Sequence, residues 1–182
     1  MALPATLHHF EIALNHVDRG LEQALVFKAA RHPSETLERL WLRAIAYCWQ
    51  WEERIAFGPG LSDPDAPDLE VRDYTGQLTR WIRVGKPQAA KVQRAIDQHP
   101  GAQVSVLLDA PDRLEAFLCE ARDEKLTRVG KAELAAVDPE LLAQLARHED
   151  RRAKLTLTWV GDHLYIDRDG DTFDGPITRG TF

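Results

Sequence analysis

Apolar and polar positions alternate at the start of the chain. Phe10, Ile12 and Leu14 recur at every second residue within 5–17, which predicts a strand, and Asp18-Arg19-Gly20 supplies a turn. Residues 21–30 fit either a short helix or a returning strand, the later part favouring strand. The period then lengthens. Leu37, Leu40, Trp41, Ala44, Cys48, Trp51 and Ile55 recur at three- and four-residue steps. They form one apolar stripe of a helix that begins at Pro33, takes Glu35 into its first turn and stops at Gly58-Pro59-Gly60.

Residues 58–67 hold three prolines and two glycines and are expected to form a loop. Segments 68–74 and 77–85 flank Thr75-Gly76 as a hairpin with a two-residue turn. Pro87 opens a helix that runs to about His99. A strand over 104–108, a helix over 111–123, a strand over 126–129 and a helix over 139–148 follow. Segments 155–160 and 163–167 flank Gly161-Asp162 as a second hairpin, and the tail, rich in Gly, Asp and Thr, is expected to be irregular. The pattern is mixed α/β, a central mixed sheet flanked by helices, in one domain over residues 1–182.

Composition narrows the function. At 182 residues and 44% hydrophobic, the chain can bury a core without disulfides or metal staples. The formal charge is -6, the opposite of a protein that coats duplex DNA, so any nucleic-acid contact must come from a local basic patch. Cys48 and Cys119 lie far apart without metal-ligand spacing, and Cys48 falls on the apolar helical stripe as a reduced, buried thiol. No apolar run reaches membrane-spanning length and no signal sequence opens the chain; a soluble, cytoplasmic protein is expected. Asp167, Asp169, Asp171 and Asp174 lack the Gly and Glu of a calcium loop and read as a polar turn.

The hairpin at 68–85 carries the candidate chemistry. A two-residue turn sets Asp68 opposite Arg83, Glu70 opposite Trp81 and Arg72 opposite Thr79, on one face with Gln77. Leu69, Val71, Leu78, Ile82 and Val84 take the other face. An antiparallel ribbon with one solvated face has the same pattern, and there Trp81 would merely shield the sheet.

The stretches ARHPSETLERLWLRAIA (30–46), PDLEVRDYTG (67–76) and WIRVGKP (81–87), with the MAL-x-A-T opening, resemble the signature blocks of the YaeQ family along the whole chain. That resemblance implies a restriction-endonuclease-like PD-(D/E)XK fold and Mg2+-dependent phosphodiester hydrolysis. In such nucleases an Asp and an acidic residue on its hairpin partner hold the metal, and a nearby Lys handles the water. Pro67-Asp68 matches the motif's Pro-Asp, whereas Arg83 stands where relatives show Glu, and Gly85 where Lys is expected.

The resemblance therefore implies Asp68 and Glu35 as metal ligands, with Glu70 or Gln77 assisting, and Lys91 as the displaced lysine. Arg83 would bind phosphate or hold Asp68, and Ser34, Arg39, Trp81 and Lys86 would contact substrate, Trp81 against a base or sugar. Each also has an ordinary role: Glu35 and Ser34 at a helix N-terminus, Arg39 paired with Glu35 one turn away, Lys91 on a solvated helix face. An arginine opposite Asp68 offers no metal ligand, which leaves a second expectation: a module that binds nucleic acid or a protein partner without hydrolysis.

Overall fold

The computed structural model describes residues 3–182, so Met1 and Ala2 of the MAL opening lie outside the described residues. The alternating start forms β1 (Thr6–His16), and the ambiguous segment after it is a full strand, β2 (Leu21–Arg31), paired antiparallel to β1 along its length. Gly20, at φ 59°, makes the tight return that a side chain would strain.

Helix α1 (Leu37–Trp49) is shorter than its periodicity predicts at both ends. Pro33 lies in a turn before it, and the cap is Thr36, whose side chain accepts the Arg39 N–H at 3.2 Å. At the other end Arg54 takes a left-handed φ of 75°, which no helix continues through, so Trp51 and Ile55 fall in a connection to β3 (Ala56–Phe57). The helix is also buried nearly all round rather than along one stripe, Leu42, Ala46 and Trp49 being as enclosed as Leu40 and Cys48.

The second strand pair is β4 (Leu69–Arg72) and β5 (Leu78–Gly85). Leu69 faces Ile82 and Glu70 faces Trp81 as the alternation predicts, but a bulge after Val71 places Arg72 opposite Leu78. The connection is therefore longer than two residues. Asp73 closes it, its N–H donating to the Gln77 carbonyl while its carboxylate accepts from the N–H groups of Thr75 and Gln77.

After these come α2 (Ala89–Gln98), β6 (Gln103–Leu108) and α3 (Pro111–Asp123). The strand expected over 126–129 is instead a short 3₁₀ turn, Thr127–Lys131, and the strand is β7 (Glu133–Val137). Helix α4 (Pro139–Leu145) leads to β8 (Arg152–Val160) and β9 (His163–Arg168). The tail, expected to be irregular, is β10 (Asp171–Gly180). Its first half pairs with β9 and its second half with β7, which gives a Gly- and Asp-rich segment partners on both sides.

The ten strands form one mixed sheet in the order β2-β1-β8-β9-β10-β7-β6-β5-β4-β3, with β1–β8, β5–β6 and β6–β7 parallel. The sheet curls around α1 and is nearly closed: Phe27 on one edge strand lies 5.7 Å from Phe57 on the other, and Tyr47 of α1 stacks on both. One core fills this concavity. A second packs α2 and α3 on the outer surface of β5–β7, where Val104, Val106 and Leu134 meet Val92 and Phe117. The hairpin's expected solvated face is thus covered only near Asp68 and Trp81, Arg72 and Gln77 staying exposed, and Leu78 leaves the face it was expected to share with Leu69 and Ile82. Trp81, 4% exposed, belongs to the second core together with Leu78. Among the described residues no helix is long and apolar enough to cross a membrane.

Candidate functional site

Two stretches distant in sequence meet at the head of α1. Glu35 sits in the turn between β2 and α1, its N–H donating to the His32 carbonyl, and Asp68 immediately precedes β4. Both are buried carboxylates, 3% and 1% exposed. Such groups persist in a dry interior only when nearly every oxygen is paired.

Arginines supply most of the pairing. Arg39 donates through Nη1 to Glu35 Oε1 at 2.8 Å and through Nη2 to Asp68 Oδ1 at 2.5 Å, so one guanidinium joins the two acids. Arg43, one turn further along α1, closes a fork on Glu35, Nε to Oε1 at 2.8 Å and Nη2 to Oε2 at 2.7 Å. Asp68 Oδ2 accepts the Val84 N–H at 2.9 Å and lies 3.6 Å from Nε of Arg83, whose Nη1 donates to the Ala66 carbonyl. Burial alone would lower the Arg39 pKa; the Asp68 charge and the hydrogen bonds Arg39 donates to Asp68 and Glu35 outweigh it and raise the value. Two buried negative charges thus face three guanidinium groups.

Mg2+ requires near-octahedral oxygen ligands, and this donor set does not fit it. All four carboxylate oxygens of Glu35 and Asp68 already accept a donor within 2.9 Å, and the Arg39 side chain lies between the two acids. Among the described residues no three acidic, His or Cys side chains are disposed to hold a metal ion. Position 85, where the resemblance leads one to expect a lysine, has a φ of 91° that only glycine adopts without strain, and a Cβ there would stand 3.9 Å from Arg39 Nε.

Glu70, two residues beyond Asp68 along the ribbon, is held by Arg72 at 2.9 and 3.1 Å rather than turned to the other acids. Gln77 lies six residues from Arg83 along the hairpin, about 20 Å on strand spacing, too far to assist Asp68. Ser34 is exposed and pairs with His32 Nδ1 at 2.7 Å, two residues short of the cap it was expected to provide. Trp81 packs in the second core and is 4% exposed, which leaves little of its ring to stack on a base.

Arg83, Lys86 and Lys91 do come together. With Trp81 and Pro64 they line a cavity of about 240 Å³ beside the Asp68 cluster, continued by a smaller one that adds Arg94 and His99. Lys91 reaches Asp65 at 3.0 Å. Its hydrogen bond, then its charge and those of Arg94 and Arg83, hold the Asp65 carboxyl below the usual range. Four cations against one exposed acid make this a local basic patch on a chain of net charge -6. Sequence reasoning missed Arg43 and Arg94. Their signals were present: an arginine among apolar positions of α1 four residues after Arg39, and one three residues after Lys91 on the same helix.

A family model described as "YaeQ protein" matches residues 1–175. The chain is similar to "Uncharacterized protein YaeQ" of Salmonella typhi, 29% identical over 168 residues and covering 89% of this chain and 91% of that one. It is likewise similar to the protein of the same description from Escherichia coli K12, 27% identical over 178 residues, 98% and 97% of the two chains. Among solved structures, the YaeQ protein of Pseudomonas syringae aligns with a TM-score of 0.88 at 28% identity over 100% of this chain and 98% of its own. That of Xanthomonas axonopodis pv. citri aligns at 0.87 and 25% identity, over 97% and 98%.

Proposed function

The chain belongs to the YaeQ family, and we propose that it is a nucleic-acid-binding module whose nuclease-like cleft has exchanged a divalent metal for the Arg39 guanidinium. The observation that carries this proposal is the pairing of Arg39 with both Glu35 and Asp68. A catalytic metal would have to displace that cation from two buried carboxylates and then leave it without a partner. The relation to the PD-(D/E)XK architecture belongs to the same proposal. It is supported by an Asp at the head of a hairpin strand, an acidic residue beside the first helix and a mixed sheet flanked by helices.

In this proposal the ligand is a phosphate backbone laid along the groove of Arg83, Lys86, Lys91 and Arg94. A phosphate there releases Lys91 from Asp65, an exposed pair that costs little to break. Arg83, shared with Asp68, links the groove to the buried cluster and fixes the approach of the strand. Cationic side chains dominate the groove, so binding is expected to rest mainly on phosphates and to be strongly salt-dependent.

The test is fluorescence anisotropy with labelled single- and double-stranded DNA and RNA in EDTA, with parallel cleavage assays in Mg2+ and Mn2+. Binding without metal is expected, with the log–log salt slope reduced by about 0.7 to 0.9 in Lys86→Gln or Arg94→Gln. No cleavage is expected. Cleavage lost in Asp68→Asn would restore the metal-dependent phosphodiesterase and overturn the proposal. Absence of binding to every nucleic acid would overturn it in favour of a protein partner.

A further inference from the structure

A second cavity, about 300 Å³, lies toward the opposite end of β5 from Lys86, where the starts of β5, β6 and β7 meet the ends of β1 and β10. Arg80 and Lys86 are six residues apart, about 20 Å along an extended strand, so the two sites are separate. We propose that this cavity binds a small molecule through a terminal oxyanion, phosphate or carboxylate, held by Arg19, Arg80 and Arg179 with His16 beside it.

The charges in the cavity are unevenly spent. Arg80 is paired with Glu52, and Arg179 with Asp162 at 2.8 Å and Glu133 at 3.7 Å. Arg19 has no acidic partner among the described residues. Its guanidinium donates to the carbonyls of Trp49 at 3.1 Å and Trp51 at 2.9 Å, which fix its position without a salt bridge. The neighbouring Asp18 carboxylate is turned to the Gly161 N–H instead.

Most of the acceptors, by contrast, are taken up, Glu133 Oε1 alone facing only Arg179 at 3.7 Å. Glu133 Oε2 accepts from Gln50 at 2.8 Å and Gln103 at 3.2 Å, while the amide oxygens of both glutamines accept from Arg80 Nη1 at 2.8 Å. This network fixes Arg80 and leaves its Nη2 without a partner among the described residues. His16 is 4% exposed, and its Nδ1 also lacks a partner. A cavity whose acceptors are mostly taken up, and whose Arg19 and Arg80 still hold unused donors, suits an anion. Burial first, then the Arg19 charge, lowers the His16 pKa, and burial followed by the Arg80 charge lowers that of Arg19; a bound anion relieves both.

Trp49 lines the cavity and stacks on Trp159, which stacks on His16 at 5.6 Å, so tryptophan fluorescence reports occupancy directly. The experiment titrates the full chain with sodium phosphate and with sodium succinate at constant ionic strength, using chloride as the blank, by fluorescence and calorimetry. Saturable binding of either anion is expected, and the stronger of the two identifies the head group. Arg19→Gln should weaken it about tenfold or more, the worth of a charged hydrogen bond. Arg179→Gln, likewise at an exposed position, gives a second measurement, with circular dichroism checking that both variants are folded. Lys28→Gln, exposed on β2 and lining neither cavity, should leave the affinity unchanged. The proposal is overturned if neither anion binds beyond the chloride blank, if both arginine variants bind as tightly as the parent, or if Lys28→Gln weakens binding as much as Arg19→Gln.

Discussion

Gly58 lies so close to Pro67 that a Cβ built on it would fall 2.1 Å from the Pro67 carbonyl oxygen. The Gly58 N–H also donates to the Asp68 carbonyl at 2.9 Å, so the two strands meet where the acid must be aimed. Gly58→Ala is expected to cost about 1–3 kcal/mol through overpacking against backbone that cannot yield. Urea unfolding measures the loss. An unchanged midpoint would show that the 58–67 loop moves aside freely.

Removing the shared cation should cost more. Arg39→Met leaves two buried carboxylates with one guanidinium fewer, while Arg43 and Arg83 remain in place. A loss of roughly 3 kcal/mol is expected at neutral pH. Adding Asp68→Asn to Arg39→Met should recover part of it, because the two side chains interact directly. A strictly additive double-mutant cycle in chemical denaturation would contradict the bridge.

Two buried histidines set the pH response. Burial first, and then for His16 the Arg19 charge, hold His8 and His16 below the ordinary value of 6.5. Their folded pKa values lie below the unfolded one, so the unfolded chain binds protons first as pH falls. Their contribution to stability is complete above about pH 6.5 and is lost as pH drops toward their folded values. The denaturation midpoint should fall between pH 7.5 and 5.5, and less so in a His8→Gln, His16→Gln variant. A parent whose midpoint is flat over that range would contradict the neutral burial of these rings.

Thiol chemistry separates the two cysteines. Burial pushes the Cys48 thiol up, well beyond the range where thiolate forms, whereas Cys119 is exposed. A disulfide reagent should titrate one thiol per native chain and two after unfolding. Two fast-reacting thiols in the native protein would mean that α1 is not enclosed by the sheet.

Most elements left a signal in the sequence, and the exceptions have identifiable causes. Strand β1 was legible because Phe10, Ile12 and Leu14 point one way into the core. Strand β7 was not. Leu134-Ala135-Ala136-Val137 lacks the β-branched enrichment of a strand and is fixed by its neighbours β6 and β10, a context no local pattern encodes. Pro33 resembled a helix start but serves a turn, which hid the true cap at Thr36. At the candidate site, Glu35, Arg39, Asp68 and Arg83 could be singled out by position. That Arg39 would reach both acids could not, since it depends on how β2, α1 and β4 converge.

The most direct test of the central claim is Mn2+ titration followed by electron paramagnetic resonance, on the parent chain and on Arg39→Ala. If the guanidinium occupies the place of a cation, the parent leaves the aqueous Mn2+ signal undiminished, and only Arg39→Ala, with its two carboxylates released, gains affinity and thermal protection. One Mn2+ bound per parent chain, and lost in Asp68→Asn, would contradict it.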